Sequence, residues 1–298
     1  MTTLETPAAP AAAPVRASAA RRAWRTLRSS RTASIGLAIV AVHVLIALLA
    51  PLLTSYDPIA NNASQALLGP SWEHLAGTDQ YGRDVLARVL YGGRYALGVS
   101  VGATLLTVAL GTVAGCAAAL RGGWFDDVLM RILDAVLAVP AVLALLVVVT
   151  ALGTGPAVIV LAVAVVFVPQ VVRVVRGAAL AVVPADYVAA ARARGEGTWS
   201  ILRREVLPNI TDVVCVEFAM RASWVVLLIS SLSFLGFGAD PPTPDWGLMV
   251  AENRTAITVV PVASLAPILA LATLVVGLNL AADGLSKAWG VDRIREGS

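Results

Sequence analysis

Charge is scarce in this sequence. Charged residues make up 14% of the 298 positions, while 58% are hydrophobic and the mean hydropathy is +0.81. Soluble domains carry about 25% charged and about 45–50% apolar residues. A soluble fold this apolar lacks the polar surface to cover itself, so the excess faces lipid and the chain is integral to a membrane. Cysteine and histidine number two each. Cys116 and Cys215 fall in apolar stretches and read as small buried hydrophobes, not as a disulfide or metal pair. His43 stands in an apolar run and His74 in a loop, with no second ligand close by, which excludes a metal site and hydrolysis at one. The single lysine, Lys287, lies in Gly284-Leu285-Ser286-Lys287-Ala288, so the chain has no Gly-Lys-Ser/Thr phosphate cradle. A net charge of +3, without interleaved basic and aromatic residues, excludes a nucleic-acid partner.

Long apolar runs are what the sequence has in abundance. A bilayer core about 30 Å thick is crossed by about 20 apolar residues in a helix. The runs predict six transmembrane helices over Ile35–Leu53, Tyr95–Leu120, Val128–Leu152, Pro156–Val175, Asp212–Leu235 and Val262–Leu280, hence an all-α membrane protein. Basic residues collect on one side. Arg16, Arg21, Arg22, Arg25, Arg28 and Arg31 precede the first span, and Arg121, Arg131, Arg173, Arg176, Arg192, Arg194, Arg203, Arg204, Lys287, Arg293 and Arg295 share its side. Only Arg83, Arg88, Arg94 and Arg254 fall opposite, which places both termini in the cytoplasm. The expected layout is a disordered basic tail over residues 1–34, a six-helix domain over 35–285 with a cytoplasmic loop at 177–211, and a cytoplasmic tail over 286–298. The first run is too long for a signal peptide and ends in Ala50-Pro51-Leu52-Leu53 without a cleavage pattern, so it reads as an uncleaved span.

Within the spans, Gly98 with Gly102 and Gly111 with Gly115 align small residues on one helix face, where backbones approach closely. Pro140 and Pro169 predict kinks, for gating or for packing. Glu217 and Arg221 are one turn apart and share a face. Ionisable groups at membrane depth are functional candidates. Arg221 is placed to meet a substrate carboxylate with Glu217 holding it beforehand; the alternative is an internal pair that only satisfies itself. Arg131 and Asp134, three apart, read as a structural pair. Near the second span, Arg83 and Asp84 read either as a local salt bridge capping that helix or as contacts for a docking protein.

The loop between spans four and five carries most information. After Pro184, the alanine-rich stretch from Asp186 predicts a short helix. Gly195 suits the left-handed turn that stops it, and Thr198 is placed to N-cap a second helix. The product is a helix–turn–helix elbow whose small side chains let a partner's groove close over the backbone; an Arg-rich loop lying on anionic lipid is the alternative. The stretch resembles the "EAA" loop of bacterial ABC-importer permeases: Glu-Ala-Ala, three residues, Gly, nine residues, Ile-x-Leu-Pro. Ala190, Ala191, Gly195, Leu207 and Pro208 match without a gap, whereas Ala189 stands for the Glu and Glu205 for the Ile. In that family the elbow docks on the ATP-hydrolysing subunit. The resemblance gives this coupling role to Tyr187, Ala189, Ala190, Ala191, Arg192, Gly195, Leu207 and Pro208.

Further stretches narrow the resemblance to the dipeptide/oligopeptide/nickel branch and its second, "C"-type permease. Gly77-Thr78-Asp79-Gln80-Tyr81-Gly82-Arg83-Asp84 is similar to its "GTDxxGRD" motif, and the run from Asp127 to Pro140 to its third-span entry. Ser233 to Gly238 with Pro241 to Gly247 is similar to "SFLGxG…PPxPxWG", and Asp283-Gly284-Leu285 to its "GDGLRD" ending. An acidic residue common four positions before that serine is replaced by Ile229. The resemblance implies a type I ABC-importer permease fold in the bacterial inner membrane, with no cofactor and no enzymatic activity of its own. It implies a homologous second permease, two ABC ATPase subunits that bind the ATP, and an extracytoplasmic substrate-binding protein docking near Asp79, Arg83, Asp84, Pro242 and Trp246. A self-contained carrier or channel is the competing reading. It requires an internal coupling site or inverted repeat, and neither is evident in the sequence.

Overall fold

A backbone surrounded by lipid has to satisfy its own hydrogen bonds, and helices do so within one segment. In the computed structural model, which describes residues 30–289, α1 spans Arg31–Leu53 and starts at Ser30, whose hydroxyl accepts from the Ala33 amide at 3.3 Å. Helix α2 runs Val85–Arg121 and is N-capped by Asp84. Then come α3 (Gly123–Leu137), α4 (Ala141–Leu152) and α5 (Pro156–Val182). Two short helices, α6 (Asp186–Ala193) and α7 (Thr198–Ile201), lead through tighter turns into α8 (Thr211–Phe234). Helix α9 (Trp246–Asn253) lies inside the last long loop, and α10 covers Val262–Trp289.

Five of the six predicted spans are single helices long and apolar enough to cross a bilayer; the third is α3 and α4, bent by 86° at their junction. Pro140 stands at that junction as the residue before α4, where its missing N–H costs nothing. Pro169 breaks nothing, because α5 continues through it with the proline itself buried. The expected tails fall mostly on residues 1–29 and 290–298, outside the described residues; residues 31–34 already belong to α1 and residues 286–289 to α10.

Small residues set the closest helix contacts, though not all at the expected positions. Gly111 and Gly115 of α2 meet α5 so tightly that an added Cβ would lie 2.5 Å from Val171 and 2.8 Å from the Val172 carbonyl oxygen. Gly98 meets nothing within 4 Å and lines an open apolar groove of about 470 Å³ with Val99, Pro156, Ala157, Val160 and Leu161. The second seam joins α1 to α10: a Cβ on Gly36 would lie 2.6 Å from the Gly277 carbonyl oxygen, and one on Gly284 2.5 Å from Ala33. Between α2, α4, α5 and α8 a core of Val99, Leu145, Ile159, Val163, Val225 and Ile229 is closed from outside. Ile229 is thus held in apolar packing, the setting in which an acid would be most costly. Cys116 is buried as expected, but Cys215 is exposed on α8 and does not pack as a core residue. His43 joins α1 to α10, with Nδ1 2.9 Å from the Ile39 carbonyl and Nε2 3.1 Å from that of Ala270.

Candidate functional site

The helices present two ends. One carries the loops 54–84 and 235–261 (the loop end); the other carries α6 and α7 (the elbow end).

At the loop end, charge is turned inward. Asp79 takes Arg83 Nε at 2.6 Å, and its other carboxylate oxygen accepts the Arg83 and Tyr81 amides. Arg83 reaches across to Glu252, in the last turn of α9, at 2.7 Å, and Arg88 of α2 reaches the same carboxylate oxygen at 3.2 Å. Arg88 also donates to the carbonyls of Pro58 and Pro242, so one guanidinium with no exposed surface fastens both loops to α2. Asp84 caps α2 through the Ala87 amide at 2.7 Å and holds His74 Nδ1 at 2.9 Å. Trp246 donates its indole N–H to the Val89 carbonyl at 2.9 Å and lies against Gly92, where a Cβ would come within 2.8 Å of its ring.

This geometry corrects one expectation. Arg83 and Asp84 do not pair with each other; their partners are Asp79 and Glu252 for the first, His74 and the helix N-terminus for the second. Asp79, Arg83, Asp84 and Trp246 are all buried within the chain, with their side chains facing inward. Pro242 is exposed. Sequence reasoning missed Arg88 and Glu252, which lie 164 residues apart and carry no local spacing signal. Asp245, also buried, caps α9 through the Leu248 amide at 2.8 Å. Burial raises its pKa above the ordinary aspartate value, against the opposing pull of the Leu248 and Gly247 amides, the Ser233 hydroxyl and Arg88.

Midway along α8, Arg221 Nε donates to Glu217 Oε1 at 2.6 Å, the pair expected one turn apart. A third member comes from α5: Gln170 accepts from the guanidinium, which also stands 5.9 Å from the Phe167 ring centre. Glu217 is buried and Arg221 nearly so. Asp134 pairs with Arg173 of α5 and not with Arg131, because α5 packs beside α3 there; Asp126 pairs with Arg176 in the same way, Nε to Oδ1 at 2.6 Å.

At the elbow end the arrangement is reversed. Helix α6 closes with Gly195 N–H on the Arg192 carbonyl at 2.9 Å and Glu196 N–H on that of Ala191 at 3.2 Å, with Gly195 at φ +78°. Paired bonds of this kind, around a left-handed residue, satisfy the last carbonyls of a helix. Thr198 is the first residue of α7, not its cap; Gly197 holds the cap position without a side-chain bond. Val188, Ala191, Ile201, Leu202 and Val206 pack into one cluster with Val108 and Cys116 of α2 and Val171 and Val175 of α5. Tyr187, Ala189, Ala190, Arg192, Gly195 and Pro208 remain exposed, Leu207 is half-buried, and Ala191 points into the bundle as an anchor. Among the described residues no group of three or more His, Cys, Asp or Glu is placed to hold a metal.

Comparison with known proteins gives this geometry its relatives. Residues 108–290 match the family described as "Binding-protein-dependent transport system inner membrane component", and residues 18–70 match the "N-terminal TM domain of oligopeptide transport permease C". The dipeptide transport system permease protein DppC of Alkalihalophilus pseudofirmus is 35% identical over 90% of this chain and 88% of its own length. The glutathione transport system permease protein GsiD of Pectobacterium atrosepticum is 36% identical over 90% and 89%, and that of Shigella dysenteriae 36% over 89% and 88%.

Proposed function

The chain belongs to the family of binding-protein-dependent transport system inner membrane components, and from that premise we propose that it forms half of the translocation path of an ATP-driven importer of dipeptides or oligopeptides. It is a multi-pass permease subunit in the bacterial inner membrane. In this reading the elbow end is cytoplasmic, which the arginine distribution supports, and residues 35–285 form the permease domain. Two separate ABC subunits bind and hydrolyse the ATP, a homologous second permease completes the path, and an extracytoplasmic protein delivers the peptide to the loop end.

The observation that carries the reading is the division of labour within the elbow. Its outward side offers Tyr187, Ala189, Ala190, Arg192, Trp199 and Pro208, in which small alanines stand between two aromatics and an arginine in a surface that a cleft can enclose. Its inward side is fixed in the bundle by Val188, Ala191, Ile201, Leu202 and Val206. A push on the elbow therefore moves α2 and α5 with it, which is how closure of two ATPases would switch the path from facing out to facing in. On that path Arg221, held by Glu217 and Gln170, is the group offered to a peptide carboxylate. Delivery at the loop end uses the exposed surface around Pro242, backed by the buried Asp79, Arg83, Asp84 and Trp246.

The test is co-purification from the native membrane in mild detergent. ATPase subunits and a second permease are expected with the wild type. Ala190→Glu with Arg192→Glu, both at exposed positions, should lose the ATPases while the second permease stays. A chain that emerges alone and still moves solute in liposomes would replace this reading by that of a self-contained carrier or channel. Arg221→Leu should lose transport and keep assembly.

A further inference from the structure

The most exposed large apolar side chain in the described structure belongs to no part of this scheme. Trp72 is 98% exposed, and Leu75, three residues on, is 60% exposed. The turn that displays them is held firmly. Ser71 N–H donates to the His74 carbonyl at 2.8 Å, His74 N–H to Ser71 Oγ at 3.0 Å, and Gly77 N–H to the His74 carbonyl at 2.9 Å. Two ties fix its height. His74 is buried against Asp84, the residue that caps the first turn of α2. Tyr56, three residues past the end of α1, donates its hydroxyl to the Glu73 carbonyl at 2.7 Å and sets its ring 5.0 Å from that of His74. The turn therefore sits level with the end of α1, where that apolar run stops, and with the first turn of α2. It also sits at the rim of the bundle, because α1 is the least buried of the five long helices and its last turn leaves Leu52 83% exposed.

We infer that residues 71–75 rest on the lipid surface beside α1, with Trp72 and Leu75 seated at the boundary between headgroups and acyl chains. Tryptophan collects at that boundary because its ring is apolar and its N–H can stay wet. The one formal charge exposed in the turn is Glu73, and no basic group accompanies it, so the seat is aromatic and apolar and does not depend on anionic headgroups. The loop end is then divided. One edge lies on lipid at Trp72, and the face around Pro242 is left free. The inference goes beyond the transport reading and holds whichever solute is carried.

The test uses the full chain in lipid nanodiscs, comparing wild type with Trp72→Phe so that the difference emission reports this one indole. Both proteins should fold alike, since the side chain touches little. In zwitterionic phosphatidylcholine the difference emission should be shifted to the blue of aqueous tryptophan. It should lose intensity with lipids brominated close to the headgroup, lose less with bromines near the chain end, and resist aqueous iodide. Replacing a third of the lipid with phosphatidylglycerol should change none of this. Full quenching by iodide, with no effect of brominated lipid, would place the turn in water and overturn the inference. Protection from both quenchers would place another protein over Trp72 and overturn it equally.

Discussion

The two ends of this molecule treat charge in opposite ways. At the loop end Asp79, Arg83, Arg88 and Glu252 are buried together and bonded to one another and to loop carbonyls. At the elbow end Arg192, Arg194, Arg203 and Arg204 face outward, and valine, leucine, isoleucine and alanine do the anchoring. Ion pairs taken out of water cost desolvation and return it only with near-ideal geometry, so they specify an arrangement more than they strengthen it. The loop end is accordingly a platform with one shape, two loops locked to α2 and α9. The elbow is an apolar plug with its polar side exposed. A surface that receives a succession of delivered partners gains from rigidity; a surface that transmits a push gains from a seat continuous with the helices it moves.

Breaking the keystone of the platform should have the largest effect. Arg88→Met leaves the Pro58 and Pro242 carbonyls without this donor and Glu252 with Arg83 alone, and should destabilise the purified chain by about 3–5 kcal/mol, the cost of taking one partner out of a buried charge network. Thermal unfolding in detergent, read by circular dichroism, checks this. Arg88→Lys should recover little, since a single ammonium cannot span Pro58, Pro242 and Glu252 as the planar fork does. An Arg88→Met variant that unfolds with the wild type would mean the network is ornamental and the contrast between the ends is false.

How much of this was legible beforehand follows the same division. Helices were readable from apolar runs because lipid imposes that pattern along the chain. The elbow was readable because a helix stop at Gly195 and a Pro208 beyond it are local signals. The platform was not. Arg83 and Asp84 are neighbours in sequence, yet each is claimed by a group from elsewhere, and Glu252 announces nothing until α9 folds back onto α2. Arg131 and Asp134 failed for the same reason: their spacing suited a pair, but Arg173 of the adjacent helix reached the carboxylate first. Trp246 looked like surface because it follows a proline-rich loop, and only the paired Gly92 and Gly93 mark the seat it fills. At Pro140 the expected kink became a break, since the flanking helices leave three residues between them.

On the elbow side the effects should be smaller and different in kind. Leu202→Ala removes an anchor without touching the exposed face. It should cost about 2–3 kcal/mol, near the low end for such a truncation because the site lies at the rim of the bundle. In the reconstituted complex it should leave the ATPases bound and lower the solute moved per ATP, whereas the Ala190 and Arg192 substitutions lose the ATPases outright. Equal loss of binding in both would show that seat and surface are not separate. Gly195→Ala forces a side chain into φ +78° and should cost about 1 kcal/mol. Gly195→Asn, which tolerates that conformation better, should cost less in the same unfolding measurement.

The mildest test concerns Asp245, a platform acid whose burial outweighs its partners. Because Asp245 holds its proton to a higher pH when folded than when unfolded, the folded chain binds more protons across the interval between the two values. Stability from this group is therefore complete below the ordinary aspartate value of about 3.9 and is lost as pH rises through the folded value. Asp245→Asn keeps an oxygen for the Leu248 amide, and asparagine caps helices as well as aspartate does, but it has no charge to strand. The difference in melting temperature between variant and wild type should move in the variant's favour as pH rises across that interval and then stay level. A difference that is flat across the titration would mean Arg88 already neutralises Asp245, and the platform would then hold every one of its charges as an ion pair. A difference moving the way worked out above would mean that the platform tolerates one charge it does not need, kept for the shape of α9 and not for its strength.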